Sequence, residues 1–187
     1  MSMNIGQIIN EADLLVPNAL DQADKIVWLN AINQDFFNVV KIPKITNFTC
    51  ASAQQDYVLA ADVREKNIDK VMIGMFPYLS LGRDEVTPAQ NAYYFVDDTH
   101  TLSLYPAPYT NLQGFLRYHR IATTTFTTSN TSVNPDAPEE YHWTYIPALA
   151  SFIAHSQDDA IKASNYESQY KSAWNVAAQN YQKEAEA

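Results

Sequence analysis

The spacing of apolar residues changes period twice along the chain, and those two changes constrain the fold more than any other feature. Up to Val40 the apolar positions recur every three or four residues. From Lys44 to about Thr128 they form short runs and alternations between turn residues, and from Pro138 the helical spacing returns. A segment patterned for one period cannot bury its apolar side in the other. The spacing therefore predicts helices at both ends and strands between them.

The first helix is predicted over Asn4–Leu15, with Ile5, Ile8, Ile9, Ala12 and Leu15 on one side and Pro17 as its stop. The second follows Asp21, read as its N-cap with Asp24 in the first turn. It carries Ile26, Trp28, Leu29, Ile32, Phe36, Phe37 and Val40, and ends before Pro43 because a residue preceding proline is pushed out of the α region. The strand candidates are Ile45–Ala51, Asp56–Leu59, Val71–Met75, Ala92–Asp97, Thr101–Tyr105 and Gly114–Thr125. Asp97-Asp98-Thr99-His100 joins two of them as a hairpin with an acidic turn.

Beyond the polar stretch Thr127–Pro138, a helix opens at Pro138 with Glu139 and Glu140 in its first turn, and Pro147 either kinks it or marks its true start. The last helix begins around Asp158-Asp159 and carries Ala163, Tyr166, Tyr170, Trp174, Ala177 and Tyr181 as one stripe. Taken to Glu184, it is roughly 40 Å long. The fold class is α+β: one domain over 1–187, in which a helical bundle of the chain ends (1–43 and 136–187) carries an inserted antiparallel β lobe (44–135).

Composition narrows the function. Twelve Lys and Arg against 21 Asp and Glu leave a net charge of −9, which repels phosphate backbones and disfavours general binding to nucleic acid. The single cysteine, Cys50, rules out an internal disulfide, fits a reducing cytoplasm, and reads as a small buried strand residue. No window has the length and apolarity of a membrane span, and the first residues lack a signal-peptide pattern, so the chain is expected to stay inside the cell. Asn47-Phe48-Thr49 and Asn130-Thr131-Ser132 then read as chance matches to the glycosylation triplet. The 12 Tyr suit surfaces that are soluble first and buried on assembly.

Nothing assembles a reaction centre. His100, His119, His142 and His155 form no metal-ligand motif, and Asp97-Asp98 and Asp158-Asp159 read as solvated caps. No nucleophile elbow or phosphate loop is present, and four glycines leave little scope for one. The expectation is a protein that is not an enzyme and takes no cofactor and no metal. A binding module is the reading from another class: a monomer whose β lobe holds a sugar or peptide on Tyr93, Tyr94, Tyr105 and Tyr109.

The helix Asp24–Asn33, the strand Gln55–Leu59, the strand end Leu102–Pro108, and Pro138–His142 leading to a final helix with Asp158, Ala163, Tyr166 and Tyr170 together resemble the head-to-tail adaptor proteins of tailed bacteriophages. That resemblance implies a structural virion protein of the neck, at the head-tail junction, assembled in the host cytoplasm. It implies a ring of about a dozen copies beneath the portal protein, with helices around the channel, a β lobe meeting the next neck component, and double-stranded DNA passing through without specific binding. A neighbouring reading is a head-closure or tail-completion ring. On the adaptor reading, Tyr166, Tyr170, Trp174 and Tyr181 are the expected protein interface, and Asp97 and Asp98 face the channel or a neighbouring copy.

Overall fold

A computed structural model describes residues 2–81 and 90–186, with side chains described as far as Gln182. Its elements are α1 (Ile5–Leu15), α2 (Gln22–Val39), β1 (Pro43–Cys50), β2 (Asp56–Val58), β3 (Ile68–Ile73), β4 (Phe76–Ser80), β5 (Ala92–Val96), β6 (Thr101–Tyr105), β7 (Leu112–His119), α3 (Tyr145–Ser156) and α4 (Ala160–Glu186). Single 3₁₀ turns precede β3 (Glu65–Asn67) and α3 (Glu139–Thr144). The chain is α+β, and its contacts divide it into two compact units, 1–41 with 122–187, and 42–121.

In the helical unit α3 touches α1, α2 and α4. Its small residues Ala148, Ala150 and Ala154 are fully buried, which lets neighbouring backbones approach closely. Ile5 and Ile8 of α1, Leu29, Ile32 and Phe36 of α2, and Leu149 and Ile153 of α3 make the core. Asn4 caps α1 reciprocally with Gln7, each side chain taking the other's backbone N–H. Asp21 does stand at the N-cap of α2, but its side chain makes no capping bond. Pro147 falls in the first turn of α3, where a missing N–H costs nothing, and the residues before it wind as a 3₁₀ turn. Asp158, at φ 58°, closes α3 in the left-handed conformation, and Asp159 opens α4 by accepting from the Lys162 N–H at 3.0 Å.

The other unit is one seven-stranded sheet in the order β1-β7-β3-β4-β5-β6-β2. All neighbours run antiparallel except β4 and β5, which pair in parallel, so the expectation of a purely antiparallel lobe is corrected. Strand β4 escaped the sequence reading because it contains Pro77. Tyr78 and Phe76 face Val71 and Ile73 of β3, while the position without an N–H turns toward the side where β5 pairs only from Leu79 onward. The strand expected to run to Thr125 stops at His119. The N–H groups of Thr123 and Thr124 bond to the Asp136 carboxylate instead of a ladder.

Inward side chains from both halves of the sheet, among them Leu116, Tyr118, Val71, Phe95, Leu102 and Leu104, form one core. The sheet curls, since Phe48 and Tyr57, from the strands at its two ends, meet with ring centroids 5.4 Å apart. Gly114 lies opposite Phe48, and a Cβ there would meet the ring at 2.5–2.8 Å. Gly114→Ala should therefore cost about 1–3 kcal/mol by overpacking. An unchanged midpoint in thermal melting would show that the ring swings aside freely.

Candidate functional site

The stripe on α4 is divided by its surroundings. Trp174 is 2% exposed; its ring stands edge-on to Phe36 at 5.5 Å and to Tyr170 at 4.7 Å, and its Nε1–H donates to Thr144 Oγ1 at 2.9 Å. Tyr170 is nearly as buried, and burial pushes its phenol above the ordinary range. These two side chains serve the protomer's own interior. Tyr166 and Tyr181 are half-buried, and Val176 on the same helix is exposed. The middle of the stripe is therefore buried within the helical unit, while Tyr166 and Tyr181 at its two ends are only half-buried.

Beside Trp174 and Tyr170 lies a groove of about 400 Å³ between α2, α3 and α4, whose apolar walls include Val39 and Phe152. Its rim carries Asp35 together with the ion pair of Glu167 and Lys171, one turn apart. The hydrogen bond between them holds Glu167 below and Lys171 above its usual range.

A buried polar knot fixes α2 and α3 against the segment that follows the sheet. Asn33, fully buried, accepts from the Tyr145 hydroxyl at 2.8 Å and donates to the Asp136 carboxylate at 2.9 Å. That carboxylate also accepts from the Thr123 and Thr124 N–H groups and from Thr124 Oγ1. Burial pushes the Asp136 acid up, but the bonds from Thr124, Asn33 and Thr123 outweigh it and leave the acid below the usual carboxylate range. Asn30 works in parallel by exchanging bonds with both backbone groups of Phe126. The knot was not legible in the sequence, since Asn33 and Asp136 stand 103 positions apart and share no spacing.

The acidic turn between β5 and β6 is bound more closely to the sheet than its charge suggests. Asp97 is exposed, yet its Oδ1 accepts from the Glu65 N–H at 2.8 Å and so caps the 3₁₀ turn before β3. His100 sits at φ 51° with its Nδ1 2.6 Å from Arg64 Nη1, which places the ring proton on Nε2. Asp98 has no hydrogen bond or ion pair among the described residues, and is the acid the turn presents outward. Asp98→Lys should shift stability by less than about 0.5 kcal/mol. Asp97→Lys loses the cap and should cost about 1 kcal/mol. Parallel melts of the two variants check this, and equal midpoints would contradict it.

Of the remaining histidines, His155 is exposed at the end of α3, and the other two are engaged elsewhere. His119 Nδ1 is 3.0 Å from Asp69, and buried His142 accepts from the Met3 N–H and donates to the Ala137 carbonyl. Among the described residues no three His, Cys, Asp or Glu side chains could hold a metal ion. No helix among them is long and apolar enough to cross a membrane. The four tyrosines of the binding-module reading do not converge. Tyr93 is buried in the sheet's core, and the strand alternation puts Tyr94 on the opposite face. Tyr109, 82% exposed, lines a separate groove of about 240 Å³ with Phe76 and Pro108.

Comparison with protein families finds a match to the family described as SU10 adaptor protein over residues 3–186, which spans both units. A search of curated proteins finds no match.

Proposed function

Because the chain belongs to the SU10 adaptor protein family and is a structural adaptor of a phage, we propose that it is the head-to-tail adaptor of the neck: a ring of about a dozen copies between the portal and the tail-side neck proteins, through which double-stranded DNA passes. The observation that carries this reading is the extent of the family match, which takes in helices and sheet alike.

Electrostatics supports the conduit. The helical unit has five basic and thirteen acidic residues against seven and eight in the sheet unit, so −8 of the net −9 falls on the helical unit, much of it on the segments between the helices. A unit so charged, repeated around a ring, repels the duplex instead of holding it by counterion release. A closed ring needs two different surfaces on each copy. On this reading α4 supplies docking surface through Tyr166, Tyr181 and its far end, and the Asp98 turn faces the channel or the neighbouring copy.

Mixing the purified chain with portal rings and weighing the complex by native mass spectrometry tests the proposal. About a dozen copies per portal are expected; a single copy, or no binding, contradicts it. Deleting 175–187 should abolish that binding while the truncated chain still melts cooperatively, its helical signal reduced only by the residues removed. Full binding by the truncated chain would remove α4 from the interface.

A further inference from the structure

His142 lies on the 3₁₀ turn before α3, is 2% exposed, and has both ring nitrogens taken. Nε2 stands 2.8 Å from the Ala137 carbonyl, which can only accept, so that nitrogen carries the hydrogen. Nδ1 stands 3.1 Å from the Met3 N–H, which can only donate, so Nδ1 is bare. One form of the ring satisfies both bonds, the neutral Nε2–H tautomer. Through them the ring ties the residues leading into α1 to the segment leading into α3, 139 positions along the chain. Around this tie, Ser2 Oγ accepts from Asn134 Nδ2 at 3.0 Å, and the Ile5 and Gly6 N–H groups donate to the Val133 and Thr131 carbonyls.

We propose that His142 is a pH-sensitive latch on the N-terminal segment. A second proton, on Nδ1, sets one N–H against another in a space closed to water, and a buried donor without an acceptor is costly. The charge has no partner there either, since no carboxylate among the described residues bonds to the ring. Glu139 and Glu140, on its own turn, are exposed. Asp136, on the segment before it, is held by Asn33, Thr123 and Thr124. On the helices of the unit, Asp13 pairs with Lys25 and Glu167 with Lys171, while Glu11, Asp35 and His155 are exposed. The charged ring must leave its place or push Met3 out, and releasing Met3 breaks one bond of the ring where expelling it breaks two. The latch is closed while the ring is neutral, and it opens as pH falls through the range in which imidazole charges, ordinarily about 6.5. That opening comes before the loss of the Asp136 contribution, which lies at more acid pH because its bonds hold that carboxyl below the usual range. It concerns a single copy of the chain and does not rest on the adaptor reading.

Protection of backbone amides against hydrogen exchange in the full chain, followed by NMR from about pH 7.5 to about pH 5, tests the latch. The Met3 amide should lose protection by about tenfold or more over that interval, while Ile5 and Gly6, bonded to the loop carbonyls, keep theirs. The ring nitrogen shifts should show the Nε2–H tautomer at the upper pH and both nitrogens protonated at the lower. His142→Asn offers Met3 a carboxamide oxygen that takes up no proton in this range, so protection at Met3 should cease to depend on pH. In the unsubstituted chain, a ring still neutral at about pH 5, an unchanged Met3 protection, or a loss shared equally by Met3, Ile5 and Gly6 overturns the proposal, whether or not the asparagine variant folds. An equal loss at Met3 in a folded His142→Asn chain overturns it as well.

Discussion

Trp174→Ala should lower the stability of the helical unit by about 3–5 kcal/mol, the range found when a large buried aromatic is truncated. The ring fills the space between Phe36 and Tyr170 and is buried with them, so little can move in to close the cavity. Its removal also leaves Thr144 Oγ1 without the indole donor. Thermal melting followed by circular dichroism at the helical band should show the midpoint fall by about 10 °C or more. Tyr181→Ala, at a half-buried position on the same stripe, should change the midpoint far less. If the two variants melted alike, the division of the stripe into an interior part and a surface part would be wrong.

Asn33→Leu should be nearly as damaging although it exchanges a polar side chain for an apolar one of similar size. Asn33 sits between the Tyr145 hydroxyl and the Asp136 carboxylate, and leucine leaves the buried hydroxyl unpaired and takes one donor from the acid. Each buried polar group left unpaired costs about 1–3 kcal/mol. The same knot predicts a pH dependence. Asp136 is held below its ordinary value in the folded chain, so its contribution to stability is present above the unfolded value, about 3.9. It is lost as pH falls through the lower folded value. Wild type should therefore weaken on descending below about pH 4, with a shallower descent in Asn33→Leu, which has lost part of what depresses the acid. Identical acid limbs in denaturant melts of the two proteins would contradict this.

The parts of the fold that were legible in the sequence are those fixed by local period and local sterics. α1 and α2 follow from spacing and from Pro17 and Pro43, and the β5–β6 hairpin from its alternation and turn. What stayed hidden depends on partners far along the chain. A proline disfavours a strand with neighbours on both sides, and only the pairing with β3 and the late start of β5 show where the missing N–H of Pro77 is tolerated. Thr123 and Thr124 have the composition of a strand, but Asp136 takes their N–H groups. At the candidate site the stripe on α4 was visible, whereas its division was not. Spacing identifies which side chains share a face, and only the positions of α2 and α3 decide which of them that face buries. Asp97 likewise read as a solvated acid until the Glu65 N–H was found against it.

On the proposed reading, copies of this chain form the adaptor ring of the neck. Reconstruction of the head-tail junction from intact particles by electron cryomicroscopy, with no symmetry imposed, tests it most directly. A cyclic ring of about a dozen copies around an open channel is expected, with neighbouring copies meeting through two different surfaces. A neck in which this chain is absent, present once, or present only as a two-fold pair would contradict it.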